Sequence, residues 1–386
     1  MPRLEGIFAP EPNPDPEPNP DPDTDENKVQ TECRLSPDAA YQADDHRLDT
    51  NPRIDQSHWR TSDMIPTRSS HRGPGHAALL LTSCLLTLCL GPAHHLTAGP
   101  PVVIQPNRVL IQTPDQAEAT MTYVFPEDAV KPYVLELRTP SGLNILRDAP
   151  DDHPHHHGVM FGVGADEDVD FWAETEGCGR QLHQTIRSTF LKTQGALSEN
   201  GFTSTLHWCP AESDQPLIVE NRTIALREAK PTEPTLLTWV SQLQPGSDHE
   251  KTRLWGSHYF GLGLRFQKSM DADGTHFNRS GITGENVRGD EYVVPVPWSA
   301  YHANLDNNPV TVALFDHPSN PRHPAGIFIM STPFAYQAAT LNLWKETMEL
   351  TAAAPLRLVY GVAVWDGHPN AEVIEQTYQS WAAAQQ

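Results

Sequence analysis

Four histidines fall within five positions of the stretch DDHPHHHGVMFGVGADEDVDFW, residues 151–172. Pro154 cannot donate to a strand ladder, so we expect a strand to begin just after it. Alternate side chains of a strand share a face, so His155 and His157 would lie side by side, with His156 on the other face. Neutral imidazole binds Zn, Cu, Fe or Ni, and it also transfers protons. The run predicts either a divalent metal site begun by His155 and His157, or a metal-free site that hydrogen-bonds and moves protons.

Three further clusters carry similar chemical groups, in the segments WGSHYFGLGLRF, FDHPSNPRHP and VWDGHPN. Loops at strand ends are where many β-folds place binding residues. The alternative for the second segment is that its polar side chains only brace turns. The candidates from these clusters are His258, Tyr259, Arg265, Asp316, Asn320, Arg322, His323, Asp366 and His368. Candidates for the further metal ligands are Asp170, His258, His323 and His368.

Proton transfer is the chemistry that these residue types favour. We assign His155, His156 and His258 to it, with Asp366 as a base or as the group that orients a histidine. Guanidinium groups suit carboxylates and hydroxyls, so Arg265 and Arg322 would bind substrate. The remaining substrate-binding candidates are Tyr259, Asn320, His323 and two aromatics beside polar clusters, Trp172 and Trp344, which could stack on a sugar ring.

Several classes of function lack support in the sequence. The formal net charge is −22 and no concentrated basic face is apparent, which argues against nucleic acid as a partner. The chain has no phosphate-binding glycine loop, no G-x-S-x-G elbow, no H-E-x-x-H helix and no C-x-x-C pair. Histidine acid/base chemistry, with or without a divalent metal, is what remains.

The N-terminal part of the chain differs in composition from the rest. Residues 1–63 are acidic and proline-rich, so we expect a disordered leader, or an artefact of start-site choice if translation begins at Met64. Residues 64–98 have the basic, apolar and small-residue layout of a signal peptide, which predicts export to the periplasm or the extracellular space. The alternatives are a buried helix, a short anchor, or lipidation at the LTSC box of Leu81–Cys84. Membrane contact would be confined to this segment.

Residues 99–386 are predicted to form one all-β domain. Short runs such as YVLELRT, LIVENRTIAL, TLNLWKETMEL and LRLVYGVAVW are punctuated by Pro, Gly, Asn and Asp, which is typical of a large antiparallel β-sandwich. A C-terminal helix is indicated by an Asn370 cap and the stripe Val373, Ile374, Thr377, Tyr378 and Trp381. Cys178 and Cys209 could form a disulfide or stay unpaired.

Several segments in register resemble the PmoA-like family (DUF6807), from about Val124 to the C-terminus. They are KPYVLELRTPSG, DHPHHHGVMFGVGADEDVDFW, GSHYFGLGLRF, DHPSNPRHPAGIFIMSTPFAYQAATLNLWKE and LVYGVAVWDGH. Many relatives carry the label "methane oxygenase PmoA", a name taken from a membrane subunit of methane monooxygenase. We do not accept this label as a function, because such a subunit needs several spanning helices and this sequence has one short apolar run. The resemblance implies a galactose mutarotase-like supersandwich, a fold analogy with little weight for function.

These observations lead to three hypotheses of function. The first is an exported carbohydrate-active enzyme, a hydrolase, lyase or epimerase, that acts on a sugar, sugar acid or oligosaccharide by histidine acid/base chemistry. The second is a non-catalytic glycan-binding module. The third is a metal-dependent oxygenase, which requires at least three side-chain ligands near His155 and His157.

Overall fold

The fold is known from a computed structural model, which describes residues 102–112, 118–166, 168–194, 197–227, 233–271 and 273–385. By internal contacts the chain divides into Met1–Leu88 and Cys89–Gln386, and all of the described residues belong to the second unit. The predicted leader, signal peptide and lipoprotein box lie outside the described residues.

Ten strands form the first antiparallel sheet, in the order β1-β2-β3-β4-β5-β13-β20-β19-β16-β15. They are β1 (Val102–Gln105), β2 (Arg108–Ile111), β3 (Met121–Val124), β4 (Tyr133–Leu137), β5 (Val159–Gly162), β13 (Gly261–Arg265), β15 (Glu285–Arg288), β16 (Glu291–Val294), β19 (Ile327–Met330) and β20 (Tyr336–Thr340). Neighbours in this sheet come from distant parts of the chain, since β13 pairs with both β5 and β20.

Eight strands form the second sheet, in the order β14-β17-β18-β22-β11-β10-β9-β8. They are β8 (Arg180–Gln194), β9 (Leu197–Cys209), β10 (Ile218–Arg227), β11 (Thr235–Pro245), β14 (Thr275–Phe277), β17 (Trp298–Leu305), β18 (Asn308–Asp316) and β22 (Leu356–Asp366). A smaller sheet has the order β21-β12-β6-β7, from β6 (Gly164–Ala165), β7 (Val169–Asp170), β12 (Lys251–Trp255) and β21 (Met348–Thr351).

Three apolar clusters show that the elements are layered. The largest cluster takes side chains from both large sheets, for example Phe161 and Leu262 from the first and Trp239 and Val362 from the second. It is therefore the core of a β-sandwich. A second cluster joins the outer face of the eight-stranded sheet to the helix, and a third lies on the outer face of the ten-stranded sheet. The predicted all-β sandwich is confirmed.

The C-terminal helix, α1 (Ala371–Ala384), is also confirmed. The Asn370 side chain accepts a hydrogen bond from the Val373 amide at 3.0 Å and so caps the first turn. Ile374, Tyr378 and Trp381 are buried against the eight-stranded sheet, whereas Val373 is 42% exposed and does not belong to the buried stripe. Within the described part of the chain, no helix has the length and apolarity that crossing a membrane requires.

Two details of the predicted domain are settled by the structure. The run TLNLWKETMEL is not one strand, because β20 ends at Thr340 and β21 begins at Met348. Between them the backbone turns: Asn342 has a positive φ of 52° and its carbonyl accepts from the Lys345 amide. Cys178 and Cys209 are free thiols rather than a disulfide.

Candidate functional site

A cavity of about 420 Å³ opens on the outer face of the ten-stranded sheet, the face that points away from the eight-stranded sheet. Such volumes are typical of small-molecule sites. The apolar and aromatic part of its wall consists of Trp172, Tyr259, Phe328, Met330, Phe334 and Tyr336, with Pro333 beside them. The polar part consists of His153, His155, His156, Arg288 and Glu291.

The histidine run forms a turn at one wall of this cavity, and not a strand. The His153 amide donates to Pro150 O and the His156 amide donates to His153 O, both at 2.9 Å. Strand β5 begins only at Val159. The predicted alternation of His155 and His157 against His156 is therefore wrong, because it required an extended backbone from residue 155 onward.

Three imidazoles of the run pack against one another in the cavity wall. The rings of His153 and His156 are stacked, with centroids 4.7 Å apart and planes inclined by 21°. The ring of His155 meets His156 edge-on at 4.7 Å and Trp172 edge-on at 5.0 Å. His156 in turn stacks on Tyr336 at 5.0 Å, which anchors the turn to strand β20.

Burial keeps two of these imidazoles uncharged at neutral pH. Desolvation, followed by the positive charge of Lys131, lowers the pKa of His155 to about 4. Desolvation, followed by the neighbouring His155 and His153, lowers the pKa of His156 to about 2. The Nδ1 atom of His156 is buried and has no hydrogen-bond partner among the described residues. A neutral imidazole with unengaged nitrogens can accept or donate a hydrogen bond to a ligand.

His157 points away from the cavity into a network of charged groups. Its Nδ1 lies 2.6 Å from Asp148 Oδ1 and its Nε2 lies 3.0 Å from Glu174 Oε1. Burial lowers its pKa, but the bonds to these two carboxylates outweigh burial and raise the pKa above its ordinary value. Lys131 Nζ donates to Glu174 Oε1 at 2.8 Å and to Trp172 O at 2.7 Å, so the network also supports the aromatic wall.

The described residues contain no group of three or more His, Cys, Asp or Glu side chains that could hold a metal ion. Both ring nitrogens of His157 are engaged by carboxylates. The carboxylate of Asp170, a further candidate ligand, accepts from the amides of Trp172 and Ala173 instead.

A carboxylate and its two basic partners form another part of the wall. Glu291, the first residue of β16, places Oε2 2.8 Å from His258 Nε2 and Oε1 2.7 Å from Arg288 Nη2. His258 contacts Tyr259 edge-on at 4.9 Å and the ring of Trp344 at 6.0 Å. His258 and Trp344 thus stand beside the cavity, and Tyr259 lines it.

Arg265 lies on the same outer face, directly behind the cavity wall. It ends β13 opposite Tyr336 of β20, and its Cζ lies 3.5 Å from the centroid of the Phe334 ring. Its Nη2 donates to Asp152 Oδ2 at 3.0 Å, and its side chain is 1% exposed. Arg265 therefore supports Phe334 and faces the cavity only through that ring.

The segment FDHPSNPRHP is not brought to the cavity. Asn320 bonds Asp316 Oδ1 and the backbone of Val359, so it braces the turn after β18. His323 Nδ1 lies 2.8 Å from Asp316 Oδ2. Arg322 donates to the carbonyls of 341, 342, 346 and 347, so it fixes the turn between β20 and β21. These contacts agree with the alternative prediction, in which the polar side chains of this segment brace turns.

Asp366 and His368 also lie outside the cavity wall. Asp366 Oδ1 and Oδ2 accept from the Ser141 hydroxyl and amide at 2.5 and 2.9 Å. His368 Nε2 lies 3.1 Å from Ala303 O, and its ring stacks on His302. Among the sequence-based candidates, the structure gathers His155, His156, Trp172 and Tyr259 in the cavity wall.

Sequence reasoning missed Glu291, Arg288, Phe334 and Tyr336. Glu291 belongs to the short segment RGDEYVV, and the two aromatics belong to STPFAYQ, in which no residue type stands out. Strand pairing across long sequence separations brings them together, for example Arg265 opposite Tyr336. The only local signal was the Pro-Phe pair of STPFAYQ, which precedes a strand.

Comparisons with known proteins support the resemblance seen in the sequence. No curated protein matches the chain. A family model described as "Family of unknown function (DUF6807)" matches residues 113–379, which includes every residue of the cavity wall. The chain belongs to the DUF6807 family.

Proposed function

We propose that this protein binds a small carbohydrate in the cavity and acts on it by proton transfer through His155. The observation that carries the proposal is that an uncharged imidazole and a carboxylate, His155 and Glu291, line the same aromatic cavity. Aromatic faces suit the C–H surface of a sugar ring, and the polar groups suit its hydroxyls.

The cavity wall offers a group that would accept a proton and groups that would orient the sugar. His155, neutral at pH 7, is able to take up a proton from the bound sugar. Glu291, held by His258 and Arg288, would orient a hydroxyl or stabilise positive charge that develops in the reaction. His156, stacked between His153 and Tyr336, would position His155 and donate or accept one further hydrogen bond.

A specific observation also favours a non-catalytic glycan-binding module. A general base works best when its pKa is close to the working pH. Desolvation lowers the pKa of His155 to about 4 and that of His156 to about 2, which makes both imidazoles weak bases in the unliganded protein. In this second candidate function the histidines are ligands for hydroxyl groups only.

One experiment separates the two functions. The full chain is screened against mono- and disaccharides by isothermal titration calorimetry, and any that bind are followed for conversion by NMR. If His155 transfers a proton, His155→Gln should keep binding within a few-fold and lose turnover by about 10²-fold or more. The control is His249→Gln, in the turn after β11, which does not line the cavity. Binding without conversion in the parent would favour the module, and no binding of any saccharide would overturn both.

The proposal also includes export, which is supported by the signal-like layout of residues 64–98. Fractionation of cells that express the full chain tests it. Protein in the periplasm or medium, shortened near residue 98, is the expected result. Full-length protein confined to the cytoplasm would contradict export.

A further inference from the structure

Charged side chains lie around the cavity in three groups, and each group contains both a cation and a carboxylate. The first lies behind His155 and Trp172, the second behind Phe334, and the third in the wall at Glu291. A charged ligand loses its hydration on entering the cavity and needs an unpaired opposite charge in return. The charge balance of each group therefore determines whether a charged or an uncharged ligand is favoured.

The first group compensates its cation. It contains one ammonium, that of Lys131, and two carboxylates, those of Asp148 and Glu174, with His157 between them. The hydrogen bonds of His157 raise its pKa despite burial, which favours its charged form. The ammonium of Lys131 has no exposed surface and donates to Glu174 Oε1 and Trp172 O. This group offers no cation to a ligand.

The cations of the other two groups also have carboxylate partners, although Nε and Nη1 of Arg265 are buried without a hydrogen-bond partner among the described residues. Arg265 contacts Asp152 at 3.0 Å, and the Phe334 ring covers its guanidinium. Arg288 contacts Glu291 at 2.7 Å, and the other oxygen of that carboxylate is held by His258 at 2.8 Å. In the described part of the chain, each cation near the cavity therefore has a carboxylate partner.

Apart from the Arg288–Glu291 pair and His153, which contacts Asp152, the groups that a ligand meets directly are uncharged. They are the imidazoles of His155 and His156 and the aromatic wall. A ligand carboxylate would lose water without gaining an unpaired cation, which is unfavourable. The formal net charge of residues 99–386, which is −15, also repels anions at long range. Hydroxyl groups, which donate and accept, match neutral imidazoles without this cost.

We infer that the cavity selects an uncharged saccharide, of one or two rings, over the corresponding uronate. This inference rests on the proposed carbohydrate-binding function and narrows its substrate class, since the sequence left both sugars and sugar acids open. A cavity of about 420 Å³ lies in the lower part of the range of about 300–1,000 Å³ for small-molecule sites, which sets the size of the ligand.

Matched pairs of methyl glycosides test the selection. The methyl pyranosides of glucose, galactose and mannose, and of the three corresponding uronic acids, are titrated into the full chain by calorimetry at neutral pH. Within a pair that binds, the neutral sugar should bind at least tenfold more tightly. A uronate that binds equally well or better would overturn this inference and leave the proposed function standing. If no member of any pair binds, the proposed function fails, and this inference fails with it.

A variant that removes the carboxylate partner of Arg265 tests whether charge pairing causes the preference for a neutral sugar. Asp152→Asn replaces the carboxylate partner of Arg265 by an uncharged amide that can still contact His153 Nδ1 of the cavity wall. The penalty against uronate, which is the ratio of its Kd to that of the neutral sugar, should therefore shrink several-fold. Asp151→Asn removes an adjacent exposed carboxylate and is the matched control, which should leave the penalty unchanged. An equal penalty in both variants and the parent would contradict a selection set by charge pairing.

Discussion

The hydroxyl of Tyr336 occupies the space directly above Gly263, where a β-carbon would lie only 1.8 Å from the hydroxyl oxygen. Gly263 is in β13 and Tyr336 is in the adjacent β20. Because His156 stacks on the Tyr336 ring, the absence of a side chain at residue 263 also affects the position of His156.

Gly263→Ala should therefore displace Tyr336 and His156 and disturb the cavity. Overpacking of this kind costs about 1–3 kcal/mol of the free energy of unfolding, which denaturant titration measures. Tyr336→Phe removes a buried hydroxyl that has no hydrogen-bond partner and should be nearly neutral. The double variant should recover part of the loss, since the atom nearest the new methyl group is gone. Strictly additive effects would contradict the proposed clash.

Glu174→Gln should destabilise the protein strongly. The substitution removes the negative charge that compensates the buried ammonium of Lys131, and breaking a buried ion pair costs about 3–5 kcal/mol. Glu349→Gln is the matched control, because Lys251 and Glu349 form an exposed pair with the same 2.8 Å separation. Its effect should be far smaller. Similar losses of unfolding free energy in the two variants would show that Lys131 is not buried as described.

His156 should make the protein less stable in mild acid. Its pKa of about 2 in the folded state lies below the ordinary value of 6.5, so the unfolded chain binds the proton first. The stabilisation is complete above pH 6.5 and is lost as the pH falls below it, by up to about 1.4 kcal/mol per pH unit. His156→Phe keeps a ring on Tyr336 and removes this proton. Denaturant titrations at pH 7 and pH 5 should show a smaller loss in the variant, and equal losses would contradict the prediction.

Local patterns predicted those parts of the fold whose physical cause is local. The Asn370 cap and the spacing of Ile374, Tyr378 and Trp381 mark α1 in the sequence, because capping and amphipathic burial depend on residues a few positions apart. Alternating runs marked most strands for the same reason. The turn at the histidine run was missed, because hydrogen bonds around Pro154, and not alternation, set its backbone.

The site could be predicted only in part. His155, His156 and Trp172 were identified from a single dense stretch, while Glu291 and Tyr336 reach the cavity through β16 and β20, whose pairing is non-local. The structure places several of the predicted polar loop residues outside the cavity wall. Asn320, Arg322 and Asp366 satisfy backbone or loop groups, a role that residue type alone does not distinguish from binding.

The most direct test of the account is an NMR titration of the imidazole signals with a neutral saccharide that binds. The resonance of His155 is assigned as the one missing from His155→Gln. It should shift with saturation at the calorimetric affinity, while His249, assigned in the same way and located outside the cavity, should not. An unchanged His155 signal during saturable saccharide binding would place the site elsewhere and contradict the account.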